Sequence, residues 1–359
     1  MTSWMFKLQG PLKDLQRVTL GVTGLLFTLL VWYLVTLGED PVIESGILSS
    51  PTKTFSSYGA LISDNKLVKN LCMSLGFNLS GYVKALMLSL PIGFIIGLYP
   101  IFKGLFQDQV IAFRFVPLTA VTSIFIASFG IGTGIKVNFL AFGIMIYLIP
   151  VIVQRIIEVQ DVYLKTVYTL GATDWQTIKT VYIPSVLSKL SDDIRVLTAI
   201  SWTYIIVAEQ IGDQGGLGAL IYRVGQRMGR PDKTIAILLI FMLIGFIQDR
   251  FFVYLDRKFF PHKFQNKNKY AKKEESNLWD NITSYMWTVF TWAFVAIYLC
   301  LTANEYFGFL GGIKPLSYLF EDTVWVIHII ALVTIGYLIY CVFKSNTNRT
   351  KQVKTPTDD

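Results

Sequence analysis

Charged residues are scarce in this chain: Asp, Glu, Lys and Arg make up 16% of its 359 residues, against about 25% in soluble domains. Cysteine is scarcer still. Cys72, Cys300 and Cys341 lie in or beside apolar stretches, with no C-x-x-C pair, so neither a disulfide framework nor a metal site is indicated. The two histidines, His262 and His328, stand far apart. There is no G-x-x-x-x-G-K-[ST], which excludes the usual cradle for ATP phosphates, and no H-E-x-x-H. Nor is there a G-x-S-x-G. No constellation for catalysis is left, so the chain does not read as an enzyme, and any energy source must come from another chain.

What is abundant is apolar sequence, 53% of residues, with a mean hydropathy of +0.51. Residues 18–37 run without a charge, long enough to cross a hydrocarbon core of about 30 Å. Uncharged runs recur at 85–102, 115–135, 137–154, 281–304 and 323–343, with shorter ones at 196–208 and 234–248. The shorter two gain length if Glu209 and Asp249 lie at their boundaries. The expected fold is therefore an all-α polytopic membrane protein of about eight transmembrane helices. The first run is too long for a signal-peptide core of roughly 7–15 residues, and no small-residue cleavage site follows, so it reads as an uncleaved anchor.

Lys and Arg set the expected orientation. Lys7, Lys13 and Arg17 precede the first span, and Arg155, Lys165, Lys179, Lys189 and Arg195 lie between the fourth and fifth. Further clusters follow the sixth and eighth. With eight spans these segments share one side, the cytoplasm, with both termini. Arg223, Arg227, Arg230 and Lys233 on the opposite side run against the pattern. The net charge of +8 is explained by basic cytoplasmic loops and calls for no nucleic acid. The chain divides into an anchor and extracytoplasmic segment (1–70), a core (71–260), a charged linker (261–280), two further spans (281–343) and a polar tail (344–359) without apolar periodicity, expected to be disordered. No internal repeat is evident.

The longest polar interruption within the core, residues 156–195, holds Gly171-Ala172-Thr173-Asp174-Trp175 and then Val181-Tyr182-Ile183-Pro184. Such a segment reads as two short helices meeting at a turn. Glycine permits φ > 0 or close approach of another backbone there, and Pro184 marks where the second helix gives way to the next span. Taken alone, Gly171 is as readily an ordinary helix C-cap.

The spacing resembles the cytoplasmic signature of ABC importer permease subunits, E-A-A-x-x-x-G, nine residues, then I-x-L-P. Gly171 and Val181–Pro184 fit it; Lys165, Thr166 and Val167 stand where E-A-A is expected. Arg114-Phe115-Val116-Pro117, Phe129-Gly130-Ile131-Gly132, Ser201-Trp202, Val207-Ala208-Glu209 and Gly216-Leu217-Gly218 resemble, in order, motifs of the nitrate/sulfonate/taurine/bicarbonate class. The resemblance covers about residues 47–260. It implies a type I importer core with two extra C-terminal helices, working as a homodimer with ABC ATPase subunits that bind the ATP and with an extracytoplasmic solute-binding protein. The ATPase-coupling residues would be Lys165, Thr166, Val167, Gly171, Ala172, Thr173, Asp174 and Pro184. The chain itself would need no cofactor and no metal.

Glu209 is the ionisable residue of most interest. A carboxylate near the end of a membrane helix is costly unless it faces a bundle interior or aqueous cavity, so it reads either as a gating or pathway group or as a structural partner to a neighbouring helix. Thr119, Thr122 and Ser123 are spaced to share one helix face. They would line a polar path, or bond back to the helix and its neighbours. Arg114 is expected to snorkel at the cytoplasmic interface, and His328 to be a packed, hydrogen-bonded histidine. Two other classes stay open: a secondary carrier or channel without an ATPase, and a non-transporting scaffold.

Overall fold

The computed structural model describes residues 14–38, 41–211, 215–265, 278–308 and 314–352. Most of the expected linker, residues 309–313 and the end of the tail lie outside them. In chain order the helices are α1 (Asp14–Val35), α2 (Pro51–Ser63), α3 (Leu67–Leu98), α4 (Pro100–Phe113), α5 (Thr122–Phe129), α6 (Thr133–Ile157), α7 (Asp161–Thr169), α8 (Asp174–Thr177), α9 (Ile183–Gln210), α10 (Leu217–Ile221), α11 (Pro231–Phe259), α12 (His262–Gln265), α13 (Leu278–Phe307), α14 (Pro315–Phe320) and α15 (Val324–Gln352). No strand occurs among the described residues.

Six stretches are long and apolar enough to cross a membrane, in α1, α3, α6, α11, α13 and α14–α15; a bent pair, α4 with residues 118–129, makes a seventh. α9 occupies the place of the remaining expected span. Lys189, Asp192, Asp193, Arg195 and Glu209 lower its apolarity. The expected third span, 115–135, is not one continuous helix. α4 and the helical stretch Leu118–Phe129, which opens with a 3₁₀ turn, meet at 97°. Pro117 causes the break, because it cannot donate to a helix and forces Val116 out of the helical region. The second span starts far earlier than residue 85, since Lys69 and Lys84 lie within one helix, α3. α15 also runs past residue 343, with no glycine or proline between 337 and 352 to stop it.

The core is built on α3 packed along α6. Glycines bring the two helices close, as is usual where lipid provides no hydrophobic drive between helices. A Cβ at Gly81, Gly93 or Gly97 would stand 2.8, 2.7 or 2.6 Å from Leu140, Ile152 or Ile156. Phe77, Phe139, Leu140, Leu148, Ile152, Leu190 and Ile205 fill this core. A second cluster, Leu61, Leu217, Leu220, Val224 and Ile237, joins α2, α10 and α11. There Lys233 Nζ donates to Asn65 Oδ1 (2.7 Å) and Arg230 pairs with Asp232 (2.8 Å). Arg230 and Lys233, which ran against the charge pattern, thus have local partners, and Arg227 lies 4.9 Å from the Tyr222 ring centroid.

Candidate functional site

Two places combine candidate residues with unusual geometry, and one helix connects them. The first is the projecting segment. Leu170 is the C-cap of α7, and Gly171 adopts φ +76°, the left-handed C′ position that glycine favours. The amides of Gly171 and Ala172 donate to the carbonyls of Tyr168 (3.0 Å) and Val167 (3.1 Å). Thr173 then caps α8: its hydroxyl accepts from Gln176 N–H (3.4 Å), and Gln176 Oε1 accepts from Thr173 N–H (2.8 Å). This reciprocal pair is a capping box, with Asp174 in the first turn where a negative charge is favoured.

Pro184 does not end the second helix. Residues 178–182 form a π turn whose Ile183 N–H donates to the Ile178 carbonyl, and helical dihedrals continue through Tyr182 into α9. The wider turn makes room for the proline ring and its missing donor. Helical structure therefore continues from Asp174 to Gln210, about 50 Å between Asp174 and Glu209 at 1.5 Å per residue.

The neck of the segment is clasped. Arg155, at the end of α6, donates to Asp193 of α9 through Nε and Nη2, both at 2.7 Å, and to Glu158 through Nη1 at 2.7 Å. Lys189 Nζ donates to the Glu158 carbonyl (3.1 Å) and approaches its carboxylate (3.3 Å). The Arg155 hydrogen bond holds the Glu158 carboxyl below its ordinary pKa. Arg195–Asp249 (2.5 Å) and Lys263–Asp192 (3.2 Å) extend the network to α11 and α12. Beyond the clasp, Val162, Tyr163, Tyr168, Leu170 and Trp175 are exposed, Leu170 at 81% and Trp175 at 69%. A Cβ at Gly171 would meet nothing within 4 Å. Lys165, Thr166 and Asp174 are exposed and Val167 packs inward.

The second place lies at the far end of α9. Glu209 is fully buried, and its Oε2 accepts from Gly218 N–H (2.7 Å). The two preceding amides are held likewise: Gly216 N–H donates to Asn70 Oδ1 (2.9 Å) and Leu217 N–H to Ser74 Oγ (2.7 Å). Lys136 Nζ, buried in α6, donates to the Gly215 carbonyl (3.2 Å) and lies 4.7 Å from the Phe77 ring centroid. Three consecutive amides and a carbonyl of one loop are thus bonded to side chains of α3, α6 and α9. Gly216 and Gly218 admit the carboxylate: a Cβ at Gly216 would stand 2.5 Å from Oε1, and one at Gly218 3.1 Å from Oε2.

Thr119, Thr122 and Ser123 do not share one continuous helix. Thr119 belongs to the 3₁₀ turn and the other two open α5. Thr119 and Ser123 are exposed, and none of the three makes a side-chain hydrogen bond among the described residues. Nothing there joins them to Glu209. His328 Nδ1 lies 2.7 Å from Tyr298 Oη.

With this geometry in hand, comparison with known proteins identifies the framework. Residues 89–261 match the family model of the binding-protein-dependent transport system inner membrane component. This segment belongs to that family, the permease subunits of ABC importers. The permease is 28% identical over 229 residues to an ABC transporter permease protein of Brucella melitensis biotype 1, spanning 63% of this chain and 90% of that one. It is 24% identical over 251 residues to the taurine transport system permease protein TauC of Escherichia coli K12 (68% and 90% of the two chains). Among solved structures, an inward-facing MetNI methionine ABC transporter aligns with 54% of this chain and 95% of its own at 17% identity and a TM-score of 0.48.

Sequence reasoning missed Lys136, Asn70 and Ser74. Lys136 divided two apolar runs and passed for a loop boundary; its position between them was the available signal. Asn70 and Ser74, four residues apart, are legible only once α3 is known to begin at Leu67.

Proposed function

We propose that this permease forms the transmembrane path of an ATP-driven importer for a small anionic solute, such as a sulfonate, nitrate or bicarbonate. Its projecting segment 161–184 docks on a separate ATPase, and a solute-binding protein delivers from the outer side. Two copies of the chain would complete the path, with both termini in the cytoplasm. The supporting observation is the helical run from Asp174 to Gln210, which has the exposed α7–α8 tip at one end and the buried Glu209 loop lock at the other. ATP binding elsewhere would push the tip. The clasp through Arg155, Glu158 and Asp193 would pass that displacement to α6 and α9, and the lock around Gly215–Gly218 would shift with α9. Thr119, Thr122 and Ser123 keep their hydroxyls free of internal bonds, as a polar path lining would. The anionic character of the solute rests on likeness to taurine and sulfonate permeases.

The test is made on the tip. Trp175→Ala removes exposed apolar area without disturbing a buried contact, and Gly171→Asp adds bulk and charge where the backbone is left-handed. Both variants should insert normally, lose ATPase on co-purification and lose uptake by about tenfold or more, as expected for a central aromatic anchor of an interface. Full co-purification and uptake in both variants would remove the docking role.

A further inference from the structure

A cavity of about 220 Å³ lies between α4 and the ends of α3 and α6, at the same end of the bundle as α7. Val110, Ile111 and Val153 form apolar walls, and its polar groups are Arg114, Gln107 and Gln154. No acidic side chain lines it. Arg114 is half-buried, and its guanidinium makes no ion pair or hydrogen bond among the described residues; the same holds for the Gln107 amide. The nearby carboxylate, Glu158, accepts weakly from Gln154 (3.3 Å) but is already neutralised by Arg155 and Lys189. On the same face of α4, one turn before Gln107, Lys103 is half-buried and likewise has no acidic partner. Asp108, the acid of α4, is exposed and makes no ion pair. The rest of α4 is outward-facing and apolar: Ile101, Phe102, Leu105, Phe106 and Phe113 are all exposed.

A partly desolvated guanidinium without a counter-charge is costly, and Arg114, expected to snorkel into the interface, is instead half-buried and lines this cavity. An anion from outside the chain would supply the missing counter-charge. The space equals about seven water volumes at ~30 Å³ each, enough for a phosphate group and a few neighbouring atoms. A guanidinium matches phosphate oxygens in bidentate geometry. The neighbouring face of α4 is a surface for acyl chains. We propose that this cavity binds the phosphate headgroup of an anionic membrane lipid, with Arg114 as its principal contact, Gln107 as a second donor and Lys103 adding charge at the rim. The proposal rests on the membrane-spanning reading of the fold. Its readout is binding, independent of ATPase docking or uptake.

The experiment uses the full-length permease, purified in a zwitterionic detergent and titrated with phosphatidylglycerol, with retained lipid counted by native mass spectrometry. Saturable retention of phosphatidylglycerol is expected, weakened about tenfold in Arg114→Gln, the scale of one lost charge-assisted contact. Arg114→Lys, which keeps the charge, should recover part of it, and Asp108→Asn should not reduce it. Equal retention of phosphatidylcholine, or undiminished retention by a folded Arg114→Gln, would overturn the proposal. So would displacement of the lipid by millimolar inorganic phosphate, which would assign the cavity to a soluble anion instead.

Discussion

Glu209 shows how much one side chain can be asked to do. Its Oε2 holds the amide of Gly218, Asn70 and Ser74 hold the two amides before it, and Lys136 holds the Gly215 carbonyl, so a segment of left-handed glycines, Gly215 and Gly216, is fixed against three helices. If the carboxylate transmits motion of α9 to that loop, Glu209→Gln should leave the assembled complex hydrolysing ATP while uptake falls on the order of tenfold, within the usual range of coupling energies. The quantity to measure is solute moved per ATP hydrolysed. An unchanged ratio would reduce Glu209 to an anchor. The neighbouring glycine separates fit from function. A Cβ at Gly218 would lie 2.7 Å from the Cα and the carbonyl oxygen of Ile206, and backbone cannot move aside cheaply. Gly218→Ala should therefore destabilise the permease by about 1–3 kcal/mol, seen as earlier thermal unfolding in detergent. Gly134→Ala, which meets nothing within 4 Å, should not.

At the scale of elements, the telling feature is the π turn Ile178–Tyr182 that carries α8 into α9. Sequence made the proline look like a boundary, because Pro184 inside a helix ordinarily removes a bond and clashes one turn back. Propensity rules have no provision for a π turn that absorbs both defects, so one helical run was read as two helices. The opposite error occurred at 115–135, where an unbroken apolar run hid a break at Pro117. By contrast α1, α6 and α13 were legible, since apolar length without charge is sufficient for them. α3 and α9 were cut short because buried or boundary charges, Lys69, Lys84, Asp193 and Arg195, were counted as loop. The lock at Gly215–Gly218 was half legible: Glu209 and its glycines stood out, but the α3 and α6 partners come from distant sequence. A rigid run transmits rotation as well as translation. Inserting one alanine between Thr180 and Val181 should turn the α7–α8 tip by about 100° relative to α9. The insertion lies beside the buried Val181, so membrane insertion and thermal unfolding are checked first; a folded variant should lose ATPase binding. Retained binding and uptake would mean that the tip docks without regard to the orientation of α9.

At the scale of the whole molecule, the remaining question is what α13–α15 contribute, since the family match ends at residue 261. They do not hang loosely from the core. Tyr298, Leu316, Ile327 and Ala331 form a cluster that takes in Leu79 of α3. Gly76 leaves room for Thr323, whose side chain a Cβ at residue 76 would overlap. Lys69 pairs with Glu321 (3.0 Å) and lies 4.6 Å from the Tyr318 ring centroid, while Thr133 donates to Asp322 (2.8 Å). These contacts are with the first half of α3 and the start of α6, toward the end opposite α7. No ionisable group of the lock around Glu209 comes from α13–α15. We therefore expect α13–α15 to brace the first half of α3 without entering the path. A truncation must spare α12, because His262 lies 3.0 Å from Ser188 and Lys263 donates to Ser191 (2.7 Å); it belongs after Gln265. The truncated permease, supplied with its ATPase and binding protein, should retain substantial uptake and unfold at a lower temperature than the full chain. Glu321→Gln in the full chain should give a smaller shift of the same sign, because a part-exposed ion pair is worth about 0–1 kcal/mol. A truncated chain that inserts, binds its ATPase and moves no solute would instead make α13–α15 part of the transport cycle. The brace on α3 would then be the route by which they act.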